Sequence, residues 1–121
     1  MDTFEDEITS AAMRLHHIGS PGAAEDRRMW KAMFTTERAI IDRLVRDFDA
    51  RGEAYAEDHV ELYALLAYCV SLIDLIRFEE HARVMPRAAN HAEVARNAAE
   101  WRARITHMWE SFTTPTRAVV A

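Results

Sequence analysis

Apolar residues recur at alternating intervals of four and three along three stretches of the chain, and run almost unbroken through a fourth. The first stripe is Phe4, Ile8, Ala11, Leu15 and Ile18, the second Trp30, Phe34, Glu37, Ile41, Leu44 and Phe48, and the third Val94, Ala98, Trp101, Ile105, Met108 and Phe112. That spacing places each set on one face of a helix. Stop and start signals bound the helices at about 3–18, 21–51 and 91–112. Thr3 with Asp6 forms a capping pair, Gly19 ends the first helix, Ser20-Pro21 restarts the chain, Gly52 closes the second helix, and Asn90 with Glu93 opens the last. Glu37 is the exception within its stripe, a carboxylate where the pattern calls for an apolar residue.

The unbroken stretch is Leu62 to Phe78, 17 residues without Gly or Pro. It is too long for an ordinary strand and apolar on nearly every side, which predicts a helix buried among other helices. Asp58 with Glu61 reads as its capping box and Pro86 as its stop, giving a helix over about 59–85. Asp74 and Arg77 argue against a membrane span, since each costs about 2.5–3.5 kcal/mol near a bilayer centre. One stripe differs, with Ala64, Ala67, Ser71 and Asp74 continuing into Arg77 and His81. It reads first as a thin exposed edge, and otherwise as a close helix approach with Asp74 as a buried carboxylate. Short connections make sequential helices antiparallel. The expected fold is therefore all-α, a single-domain up-down four-helix bundle over 1–121, with a short first helix, a buried third helix and a frayed tail over 113–121.

Composition supports this and narrows the function. There are three Gly and three Pro in 121 residues, and half the chain is hydrophobic. The net charge is −5, and among the 14 Arg, Arg43 alternates with Asp42 and Asp47 and Arg104 lies four after Glu100. A nucleic-acid binder would gather its positive charge on one face. Cys69 is the only cysteine and lies in the core helix, so no internal disulfide forms, and the acidic start of the chain is unlike a secretory signal. Both features point to a reducing cytoplasm.

Few residues are spaced for catalysis or metal binding. No Asp or Glu is followed three residues later by His, and no His pair is spaced for a shared metal, so no metal or cofactor is implied. Ser10, Ser71 and Ser111 sit in helical patterns without the strained elbow that exposes a nucleophilic serine. Glu37 needs a partner if buried, with an Arg or with His16, His81 or His107 as candidates. Glu37 and Asp74 together would furnish a small-ligand site in the bundle.

Arg102-Ala-Arg-Ile-Thr-His107 resembles the R-x4–6-H pattern of HEPN domains, which are small helical bundles. The resemblance implies a metal-independent ribonuclease in which Arg102 binds phosphate and His107 serves acid–base chemistry at a dimer cleft. It covers six residues, and Ala103 stands where the family usually carries a polar side chain. The leading reading is a different one, a helical protein–protein interaction module that docks on a partner protein or on a second copy of itself. Three Trp and six Met are generous for this length, and such residues are enriched at interfaces. Trp109, Met29 and Phe48 are the interface candidates.

Overall fold

A computed structural model describes residues 3–20, 26–84 and 90–113. These residues form five helices and no strand: α1 (Phe4–Gly19), α2 (Arg27–Ala50), α3 (Glu53–Asp58), α4 (Val60–Val84) and α5 (His91–Thr113). The chain divides into two compact units, Met1–Ile73 and Asp74–Ala121, with the boundary inside α4. The expected stops at Pro86 and Pro115 and the tail from 114 onward lie outside the described residues.

Local signals explain most helix ends. Thr3 caps α1 by accepting from the Asp6 N–H at 3.1 Å, and the Asp6 carboxylate reaches back to the Thr3 N–H. Gly19 does not terminate α1. It is the last helical residue, and Ser20 follows as the cap, its Oγ donating to the His16 carbonyl at 2.8 Å. Ser20 is thus spent on the end of α1 instead of capping α2. That role falls to Asp26, whose carboxylate accepts from the Arg28 and Met29 N–H groups at 3.1 Å, satisfying two of the orphan donors of a helix start. Gly52 ends α2 as expected, at φ 91° and ψ 174°, a conformation essentially reserved for glycine.

The turn expected over 51–57 is instead the short helix α3. Asp58 is its last residue, so it cannot cap the next helix, and His59 separates α3 from α4. The His59 Nδ1 lies 2.8 Å from the Tyr55 carbonyl, which satisfies an acceptor left open at the end of α3.

In the first unit, α1 and α2 are antiparallel. Trp30 Nε1–H donates to the Ile18 carbonyl, Arg14 pairs with Glu37, and Arg43 pairs with Glu7, so rising numbers on α2 meet falling numbers on α1. The α4 segment of this unit runs parallel to α1, since His59 meets Glu5 and His16 meets Tyr68. All six positions of the α2 stripe are buried, Glu37 included. In the second unit, Arg102 on α5 binds Glu79 on α4, and Trp101 lies against Phe78 with ring centroids 5.8 Å apart.

The long apolar helix is not buried all round. Leu66, Tyr68, Cys69, Leu72, Ile73, Leu75 and Ile76 are buried, but Val60, Tyr63 and Val70 are exposed. Along the stripe of small and polar residues, Ala64, Ala67 and Ser71 are half-buried while Asp74, Arg77 and His81 are exposed. Asp74 is therefore not a buried carboxylate. It sits on the solvent-facing edge of α4, where a charge keeps its hydration.

Candidate functional site: an apolar groove with an acidic rim

The site is built from the last turns of α2, the short α3 and the first three turns of α4. Gly52 reverses the chain, and an aromatic cluster then fixes the elbow. The Tyr55 ring meets Phe48 edge-on with centroids 5.5 Å apart, Phe4 lies 6.4 Å from Tyr55, and His59 stacks on Tyr55 at 3.9 Å. Arg51 lies over the Phe4 and Tyr55 rings at 4.0 and 5.2 Å, which commits its charge to the α1 side of the elbow.

This arrangement leaves Tyr63 standing at the surface, 59% exposed, with its ring 6.2 Å from Phe48. On one side of it a cavity of about 380 Å³ is walled by Val45, Phe48, Asp49, Leu66, Ala67 and Val70, among others. On the other side a shallower cavity of about 260 Å³ is walled by Glu53, Ala56, Glu57 and Val60. Tyr63 lines both and stands between them, and together they are called the groove. Val60, Tyr63, Ala67 and Val70 run along it at helical spacing, a stripe about 15 Å long at ~1.5 Å per residue. A contiguous apolar strip of this kind on a surface is the feature that usually marks an interaction site.

Charge along the groove has one sign. Asp49, Glu53 and Glu57 are the charged residues lining the two cavities, and none has an ion-pair partner among the described residues. Arg46, next to Val45 on the flank of α2, lines neither cavity.

The residues singled out from the sequence are scattered over the fold. Phe48 is buried and forms the floor of the groove. Met29 is 61% exposed but stands at the other end of α2, about 28 Å from Phe48 along the axis at ~1.5 Å per residue. Trp109 is half-buried on α5. Glu37 is buried at 9% exposure and its partner is Arg14, whose Nε lies 3.1 and 3.0 Å from the two carboxylate oxygens. Of the proposed histidine partners, His16 meets the Tyr68 hydroxyl at 2.6 Å, while His81 and His107 are exposed. With Asp74 exposed, Glu37 and Asp74 do not make a pair of buried carboxylates.

Arg102 makes a two-pronged contact with Glu79, at 2.7 Å through Nε and 2.6 Å through an Nη. Its guanidinium is occupied by a carboxylate within the fold, the same geometry a phosphate would use. His107 is exposed five residues further on, about 140° around the helix at ~100° per residue. Among the described residues no group of three or more His, Cys, Asp or Glu could hold a metal ion, and no helix is long and apolar enough to cross a membrane. Set against protein-family models, curated proteins and solved structures, the chain matches none.

The thin exposed edge expected along α4 is present at Asp74, Arg77 and His81, but exposure also takes in Val60, Tyr63 and Val70, the last two within the run expected to be buried. The available signal was the spacing of Val60, Tyr63, Ala67 and Val70, which continues into Asp74, Arg77 and His81. One face of α4 that is charged at its far end is a face that meets solvent along its whole length.

Proposed function

We propose that this protein is a protein–protein interaction module without chemistry of its own, acting in a reducing cytoplasm, and that the groove beside Tyr63 is its docking face. The reading takes 1–121 as one all-helical domain, because α4 runs unbroken through the boundary between the two units. The observation that carries it is the exposed stripe of Val60, Tyr63 and Val70 next to a cavity floored by Phe48. Large apolar side chains left in water along three helical turns lose stabilisation that a partner would restore, at roughly 25 cal/mol per Å² buried. The geometry also favours a protein over a small ligand. The groove is open, elongated and lined by few polar groups, whereas small-molecule sites enclose most of their ligand.

Native mass spectrometry of the chain purified from its own host tests this, with Val70→Glu beside the wild type. The expected result is a protein adduct or a multiple of the chain mass that Val70→Glu removes. A bare chain in both preparations would sink the reading. A nucleotide adduct lost in His107→Ala would replace it with the ribonuclease reading.

A further inference from the structure

The shape and charge of the groove identify what fills it, and this step rests on the interaction reading above. We infer that the occupant is a basic amphipathic helix of a different protein, laid along α4 with its apolar face on Tyr63 and Val70 and its Lys or Arg side chains over Asp49, Glu53 and Glu57.

The secondary structure of the occupant follows from the backbone of the groove. Its walls are helices whose amide groups are used internally, so no strand edge is offered for an extended peptide to extend. What the groove presents is side chains. The stripe Val60, Tyr63, Ala67 and Val70 covers three turns, which matches a helix that presents apolar residues at i, i+3 or i+4, and i+7. The cavity of about 380 Å³ lined by Val45, Phe48 and Val70 has the volume to take one large anchor side chain, such as Leu or Phe.

The charge of the occupant follows from the rim. The three carboxylates lie on α2 and α3, along one side and one end of the groove, and none is neutralised within the fold. Arg51, the nearest cation in sequence, is held over the Phe4 and Tyr55 rings. A helix with cationic flanks brings opposite charges to a partly dehydrated boundary, which raises both the encounter rate and the selectivity for that partner. The same rim disfavours a second copy of this face. A two-fold contact of the groove on itself would gather two sets of Asp49, Glu53 and Glu57 around one apolar strip, and juxtaposed like charges oppose association.

The test uses the full chain and three fluorescent 14-residue peptides. The first is an amphipathic helix of Leu and Lys, the second the same design with Glu in place of Lys, and the third the Leu/Lys composition scrambled so that no apolar face forms. Fluorescence anisotropy should give saturable binding of the first peptide, at least tenfold tighter than either control. Val70→Glu should weaken it at least tenfold. Asp49→Asn/Glu53→Gln/Glu57→Gln should weaken it three- to tenfold and flatten its dependence on salt. Circular dichroism of each variant confirms the fold, which these exposed or rim substitutions leave intact. Equal binding of the basic and acidic amphipathic peptides overturns the basic-helix inference and leaves the interaction reading standing. So does failure of all three peptides together with a concentration-dependent dimer, seen by light scattering, that Val70→Glu dissolves. Failure of all three with a strict monomer, unchanged by Val70→Glu, overturns the inference and the interaction reading together.

Discussion

Arg14 Nε lies within hydrogen-bonding distance of both Glu37 oxygens, at 3.1 and 3.0 Å, bridging α1 and α2 from opposite degrees of burial. The Arg14 side chain is 48% exposed and that of Glu37 11%. The partner that makes the carboxylate tolerable in an apolar stripe is therefore itself half in water. Removing the cation should hurt more than removing the pair. Arg14→Met keeps the aliphatic stem but strands the carboxylate, and should cost about 1–3 kcal/mol, the penalty of an unsatisfied buried polar group. Glu37→Leu restores the apolar stripe and should lie within about 1 kcal/mol of wild type, as should the double variant. Urea denaturation midpoints decide this, and a Glu37→Leu loss larger than that of Arg14→Met would reverse the interpretation.

Leu66 and Ile73 are 4% and 5% exposed on α4, and Val70 between them is 41% exposed. Leu66→Ala and Ile73→Ala should each cost about 2–5 kcal/mol through lost burial and residual cavity volume. Val70→Ala should stay within about 0.5 kcal/mol, as surface changes do. Chemical denaturation of the three variants checks the contrast. Similar losses at all three positions would mean that α4 is covered on the groove side.

Cys69 is fully buried, and loss of hydration pushes its thiol from the ordinary 9.0 up to about 12. It should resist a disulfide reagent at pH 8 until the chain is unfolded, because the thiolate is the reactive form. The folded state binds the proton more tightly than the unfolded state. The stability this contributes is whole below pH 9 and declines as pH rises from 9 towards 12. Rapid stoichiometric labelling without denaturant would contradict the burial.

Gly52 at φ 91° has open space around the position a Cβ would take, with nothing within 4 Å. Gly52→Ala therefore tests backbone conformation alone, and should cost about 1–3 kcal/mol. A thermal melt reads the loss. An unchanged midpoint would mean that the elbow accepts another path between α2 and α3.

For α5 the expected outcome is an absence. RNA-cleavage assays should show no activity that depends on His107, because Arg102 is held by Glu79 and the two side chains point about 140° apart at ~100° per residue. Cleavage abolished by His107→Ala would restore the ribonuclease reading.

What the sequence determined by itself is the four long helices and the inward faces of the amphipathic ones, while the short α3 takes the place of an expected turn. Periodicity and capping are local properties, so the Thr3–Asp6 box could be read without coordinates, as could the six buried positions from Trp30 to Phe48 and the break at Gly52. Asp26 as the cap of α2 was a harder local choice, since Ser20 offered the same hydrogen-bonding chemistry and was drawn to the end of α1. Only the tertiary structure decided which cation meets Glu37, because Arg14 is far away along the chain and one position among many on its own helix. It also decided how far the exposed edge of α4 extends, from Asp74, Arg77 and His81 to Val60, Tyr63 and Val70. A continuous apolar run specifies that a helix seeks cover. How much cover it receives depends on how many neighbours reach each face, and along Val60, Tyr63 and Val70 the fold leaves large apolar side chains exposed.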